Sequence, residues 1–173
     1  MNSIAAARPD DAPCLAVLAA QVFLDTYATA GIRPSIANEV LRSFSVAALD
    51  EILRRERSFV VVAEVEAHLV GFAQVSLDVR HEQADDAGAC ELDRLYVQEP
   101  FTGRHIGSGL LQAAERHAAR CGASVMWLTP WVHNARALAF YAACGYADIG
   151  MTWFEMDGER HENRVLRKAC AAA

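Results

Sequence analysis

No run in this 173-residue chain approaches the roughly 18 apolar residues that a membrane-crossing helix requires, so no membrane partner is expected. The amino terminus lacks a charged segment followed by an apolar stretch, which makes the cytoplasm the expected location. Positive charge is short as well. Sixteen Lys and Arg stand against 22 Asp and Glu, and a formal net charge of −6 argues against nucleic acid as a partner. The five cysteines (Cys14, Cys90, Cys121, Cys144, Cys170) are odd in number, widely spaced and free of C-x-x-C pairs. They are expected as buried, reduced thiols rather than a disulfide framework. None of the histidines stands at ligand spacing from a Cys or Asp, so no metal site is expected. Repeats, low-complexity stretches and linkers are missing too, which makes residues 1–173 a single domain.

A hydrophobic content of 53% supports a folded core. Residues 2–7 suit a short strand. Pro9-Asp10-Asp11 suits a helix start, with Leu15, Leu18, Ala19, Val22, Phe23 and Thr26 at helical spacing. Residues 35–57 suit one or two short helices. Residues 59–65 and 68–79 read as an antiparallel hairpin turning at Glu66-Ala67, and residues 80–89 as a surface loop. A strand at 91–97 precedes a helix at 107–120 that places Leu110, Leu111, Ala114, Ala118 and Cys121 on one side. Gly122 suits its C-terminal cap. The run 125–129 reads as a strand covered on both faces. Asn134 opens a helix that stops at Gly145, and strands at 146–156 and 160–167 follow, joined by Asp157-Gly158. The order is α/β with a mixed sheet.

The segment 91–145 carries the chemistry. A glycine-containing turn, Thr102-Gly103-Arg104-His105-Ile106-Gly107, opens a helix and so offers free backbone N–H groups to a phosphorylated ligand. The Gly-Lys-Ser/Thr ending of a nucleotide loop is missing. Asn134 and Tyr141 follow on a second helix. The combination points to an enzyme that holds a large phosphorylated cofactor and moves protons beside it. The ordinary readings remain beside these: Asn134 as a helix cap, Phe140 and Tyr141 as core anchors, and Trp127, Trp131, Trp153 and Phe154 as core or cleft walls.

With Leu95-Tyr96-Val97, the 102–108 turn, Trp127-Leu-x-x-Trp131-x-x-Asn134, Ala137-x-Ala-Phe140-Tyr141, Gly145-Tyr146 and Met156-Asp-Gly in order, the chain resembles the GNAT superfamily of N-acetyltransferases. Within it, the likeness is greatest to the bacterial polyamine N-acetyltransferase branch. The resemblance implies a GNAT fold, a mostly antiparallel mixed sheet with a splayed strand pair and flanking helices. It also implies acetyl-CoA as co-substrate without a metal, direct transfer to a primary amine of a small molecule, a polyamine first, and the frequent homodimers of the family. A protein or peptide acceptor, and a non-catalytic CoA-binding sensor, are the alternatives.

By that resemblance, the main chain of Leu95, Tyr96 and Val97 pairs with the pantetheine arm. Thr102, Gly103, Arg104, His105, Ile106, Gly107 and Ser108 face the pyrophosphate. Asn134 contacts the arm, and Tyr141 protonates the departing thiolate. Glu91 is favoured over Asp93 as the base, and Tyr27, Asp93 and Trp131 border the acceptor. Two positions depart from the family pattern. Aligned without gaps on Leu95-Tyr96-Val97, His105 replaces the first loop glycine and is expected to hold a helical φ. Val132 stands where the polyamine branch often has glutamate.

Overall fold

The computed structural model describes residues 2–84 and 86–170; Asp85, part of the expected 80–89 loop, lies outside the described residues. In chain order the elements are β1 (Asn2–Ala6), α1 (Ala12–Tyr27), α2 (Pro34–Ser43), α3 (Val46–Arg54), β2 (Ser58–Val65), β3 (His68–Leu77), β4 (Ala89–Val97), α4 (Ile106–Arg120), β5 (Val125–Leu128), α5 (Ala135–Ala143), β6 (Ala147–Met156) and β7 (Glu159–Ala169). The strands order as β1-β2-β3-β4-β5-β7-β6. β1 pairs antiparallel with β2, and β7 runs antiparallel to both β5 and β6, whereas β4 and β5 are parallel. The parallel pair needs the α4 crossover between its strands, because parallel neighbours cannot be joined by a tight turn.

Two compact units make up the chain. The first comprises Met1–Val75 and Arg94–Ala114. Pro at the first turns of α1 and α2 costs no helical hydrogen bond there, and the Ser45 hydroxyl caps α3 by accepting from the Ala48 N–H at 3.2 Å. α1 buries Leu15, Leu18, Ala19 and Phe23; α3 adds Leu49 and Ile52; β3 adds Val70, Phe72 and Val75; α4 adds Leu110, Leu111 and Ala114. Two glycines set how closely these layers approach. A Cβ on Gly71 would lie 2.8 Å from the Tyr96 carbonyl oxygen, and one on Gly109 would lie 2.8 Å from the Ile4 side chain.

The second unit comprises Ser76–Asp93 and Glu115–Ala173. All four residues of β5 are buried, as a strand covered on both faces requires. The Trp127 indole N–H donates to the Val79 carbonyl at 2.8 Å, and Ala84, Ala89 and Ile149 pack about it. The stretch expected as a plain surface loop is therefore partly core: Ala84 is buried because the loop folds back over this indole. Glu115, on the second half of α4, receives the Lys168 ammonium on both carboxylate oxygens at 2.9 Å and the Tyr146 hydroxyl at 3.0 Å. Glu115 is only 16% exposed, so this cluster outweighs open pairs such as Arg54–Asp50, whose screening leaves them little worth.

Three expectations are corrected by packing. Only Cys90 is buried; Cys14 and Cys121 are exposed, and Cys144 and Cys170 are half-buried, because Cys121 lies just past the end of α4 and Cys14 on its helix's open side. Trp153 and Phe154 are 45% and 44% exposed rather than core, since β6 is an edge strand; Trp153 instead carries the Arg160 guanidinium 4.7 Å from its ring centroid. Phe140 is half-buried and Tyr141 is the buried member of the pair.

The β2–β3 turn falls at Glu66 and Ala67 as expected, with φ of 51° and 63°. Both residues occupy the left-handed region that this two-residue hairpin demands and that a Cβ disfavours. Ala67→Gly is therefore expected to raise the stability of the protein by about 1 kcal/mol, read as a higher urea midpoint at unchanged slope.

Candidate active site

In the first unit, the chain leaves β4 through a single 3-10 turn, Glu99–Phe101, and enters α4 by way of residues 102–105. Thr102 closes that turn, its N–H and hydroxyl both donating to the Glu99 carbonyl, at 3.1 and 2.8 Å. Gly103 has φ +72° and its Cβ position faces open space, which leaves room for an approaching group. The Arg104 guanidinium lies 5.3 Å from the Phe101 ring centroid. The first α4 bond runs from the Gly109 N–H to the His105 carbonyl at 3.0 Å. The N–H groups of Ile106, Gly107 and Ser108 therefore precede any intrahelical acceptor, and the Ser108 hydroxyl folds back on the His105 carbonyl at 2.9 Å. A donor set at the positive end of a 15-residue helix, beside an open glycine, suits a pyrophosphate.

His105 departs from expectation. Its φ is +61°, in the left-handed region, not helical. The turn needs a positive φ where α4 begins, and the imidazole-bearing residue adopts the conformation that a glycine takes without strain. The ungapped alignment, which puts His105 at a loop-glycine position, agrees with that geometry.

β4 projects Leu92, Arg94 and Tyr96 on one face by strand alternation. Tyr96 packs edge-on to Phe72 and Phe44, with ring centroids 5.5 and 6.4 Å away; Phe44 meets Phe23, and Phe23 meets Tyr27. Burial pushes the phenols of Tyr96 and Tyr27 above their ordinary range, so both are neutral at physiological pH. Tyr27, an acceptor-border candidate, thus shares an aromatic layer with the Tyr96 side chain. From sequence, Tyr96 is a candidate for its main chain alone.

The same layer holds polar groups that sequence reasoning misses. Arg94 donates to Gln74 and lies 5.1 Å from the Phe44 ring centroid. Gln74 is 4% exposed, and Glu39, 8% exposed, accepts from Ser43 at 2.6 Å and pairs with Arg42. The period-two spacing of Leu92, Arg94 and Tyr96 is the available signal; their helical partners are not legible.

In the second unit, the ladder between β4 and β5 matches Ala89 to Val125, Cys90 to Met126 and Glu91 to Trp127. Glu91 is half-buried there, whereas Asp93 is exposed and accepts from the Ser76 hydroxyl at 2.8 Å. Asn134 caps α5, its side-chain oxygen accepting from the Ala137 N–H at 3.0 Å. Tyr141 is 7% exposed and packs against Phe140 and Tyr146 at 5.2 and 5.6 Å. Gly145, at φ +86°, ends α5 and lets the Tyr146 N–H return to the Tyr141 carbonyl at 3.0 Å. The Tyr146 phenol is itself pushed far up, by burial first and then by Glu115, so it stays protonated. Trp131 bridges to Asn163 and sits 5.0 Å from the His133 ring. Among the described residues, no group of three His, Cys, Asp or Glu is placed to hold a metal ion.

The family model described as "Acetyltransferase (GNAT) family" matches residues 28–146. An uncharacterized N-acetyltransferase of Mycobacterium tuberculosis is 31% identical over 153 residues, 88% of this chain and 93% of the relative. A spermine/spermidine N(1)-acetyltransferase of Bacillus subtilis is 28% identical over 98 residues, 55% of this chain and 62% of the relative. Among solved structures, the PaiA N-acetyltransferase of Thermoplasma acidophilum in complex with coenzyme A shares the fold, with a TM-score of 0.76 at 21% identity over 98% of this chain and 99% of its own. With the α/β order and the parallel β4–β5 pair in place, the chain belongs to the acetyltransferase (GNAT) family and is an N-acetyltransferase of the acetyl-CoA-dependent type.

Proposed function

We propose that the protein transfers the acetyl group of acetyl-CoA directly to a primary amine of a small molecule. The observation that carries this reading is the turn at 102–108, whose donors, open glycine and helix N-terminus suit the cofactor's pyrophosphate. Bound there, acetyl-CoA supplies the activated acyl group. The main chain of Leu95, Tyr96 and Val97 lies directly upstream and holds the pantetheine arm as an added strand is held; Asn134 adds a side-chain contact to the arm.

Three demands fall on the remaining residues. The amine must lose a proton, the carbonyl must be held beside it, and the leaving thiolate must gain a proton. Tyr141 meets the last of these, because a phenol with an ordinary pKa of about 10 keeps its proton at neutral pH and passes it to sulfur. Glu91 takes the amine proton through water. It is preferred to Asp93 because it is half-buried beside the β5 ladder, while Asp93 is exposed and already accepts from Ser76. Trp131, Tyr27 and Asp93 border the acceptor. Polyamines enter as candidates through the partial likeness to the Bacillus subtilis enzyme; Val132, where that branch often carries glutamate, weakens the case for a polycation.

Thiol release from acetyl-CoA across spermidine, amino acids, aminoglycosides and short peptides tests the reading. Acceptor-dependent release with small amines is the expected result, and release only with peptides would shift the assignment to a protein acceptor. Tyr141→Phe should lower kcat by on the order of 10–1000-fold at nearly constant acetyl-CoA affinity; equal turnover at saturating substrates would remove Tyr141 from the mechanism. His105→Gly should relieve the left-handed strain, raising stability by about 1 kcal/mol and tightening CoA binding in calorimetry. Weaker binding by this variant would instead assign the imidazole a phosphate contact.

A further inference from the structure

Within the first unit, two ionic side chains lie in the layer that joins β3 and β4 to α1 and α2, and they differ in how their charge is met. The Glu39 carboxylate is satisfied by the Ser43 hydroxyl at 2.6 Å and by Arg42. Arg94, by contrast, is held among the described residues by neutral groups: the Gln74 amide oxygen and the Phe44 ring at 5.1 Å. A guanidinium carries more N–H donors than those partners consume, and it keeps its charge at any physiological pH. Gln74 is 4% exposed, so its grip orients the planar fork and reduces the rotamer freedom that a ligand would otherwise have to freeze. Arg94 itself is half-buried and remains reachable from solvent.

On the proposed path of the pantetheine arm, this cation stands next to the reacting end of the cofactor. From the anion turn at 102–108, the proposed arm runs back along Val97, Tyr96 and Leu95, and Arg94 is the next residue. We propose that Arg94 is the specificity-determining residue for the acceptor and that the acceptor is an amine bearing a carboxylate, which the guanidinium takes as a bidentate partner. This rests on the acetyltransferase reading above. The aromatic layer of Phe44, Tyr96 and Tyr27 borders the carbon skeleton of such an acceptor, and the oriented fork matches carboxylate geometry. A polyamine would bring a second cation toward a fixed guanidinium, which like-charge repulsion opposes.

The test compares amino acids with their own carboxamides, plus spermidine, in kcat/KM for thiol release by the wild-type protein, Arg94→Gln and Arg94→Lys. Wild type is expected to favour each carboxylate over its amide by about 10–100-fold, chiefly in acceptor KM, and Arg94→Gln to bring that ratio close to one. Arg94→Lys, which keeps the charge without the fork, should fall between them. A wild-type preference for amides or spermidine would overturn the inference, whatever the variants do. So would an Arg94→Gln defect that leaves the carboxylate-to-amide ratio unchanged, since that is the mark of a structural role.

Calorimetry of the same amino acids on the CoA-saturated protein separates this inference from the reading beneath it. If carboxylates bind wild type and not Arg94→Gln while no acceptor turns over, the carboxylate site stands and the transferase reading falls. If they bind neither protein, the carboxylate site falls.

Discussion

Strand β4 is the element on which the candidate chemistry depends, because the two-residue period of its nine residues makes it serve different purposes at once. Its first residues form a parallel ladder with β5, a pairing that requires a long crossover and therefore the whole of α4. Its last residues lead into the turn that presents the α4 N-terminus. One face carries Leu92, Arg94 and Tyr96, and the other carries Glu91 and Asp93. A one-residue slip of this strand would exchange the two faces and carry Arg94 out of the layer that holds it. Gly71 contributes to the register: any side chain there would meet the Tyr96 carbonyl at 2.8 Å.

Around that strand, each unit satisfies its polar groups by a different device. In the first unit, helix caps and an aromatic layer surround Gln74, Glu39 and Arg94, and the ionic groups are met through hydroxyl, amide and guanidinium partners. In the second, one carboxylate, Glu115, gathers the chain's only lysine and the Tyr146 hydroxyl, joining α4 to β7 and to the residue that follows the end of α5. The Trp127 indole does the same for the loop after β3 by donating to Val79. Partly enclosed interactions of this kind lose little to solvent screening, whereas the i,i+4 pairs on α3 are exposed and contribute little.

The turn before α4 carries two residues in the left-handed region, Gly103 and His105. A positive φ at both positions, 72° and 61°, brings the chain from the 3-10 turn into α4. Glycine meets that demand at no steric cost at the first position. At the second, a residue with a Cβ adopts the same conformation because the surrounding contacts, Thr102 on Glu99 and Gly109 on His105, determine the path of the chain.

The sequence by itself determined the elements and the family. Period-two and period-3.6 patterns, Pro at helix starts, Asn134 as a cap and Gly122 and Gly145 as stops are local signals that act within a few residues, and the structure follows them within one or two residues at most boundaries. The left-handed φ of His105 was not legible, because histidine's own preference is for a negative φ and the turn overrides it. Nor was the exposure of Cys14, Cys121, Trp153 and Phe154, since an apolar neighbourhood in sequence does not reveal which helix face or strand is left open. The union of Arg94 with Gln74 and Phe44 was decided by tertiary structure alone: these three residues stand tens of positions apart, and the β3–β4 pairing brings Gln74 to Arg94 while the chain leaving α2 brings Phe44 to it.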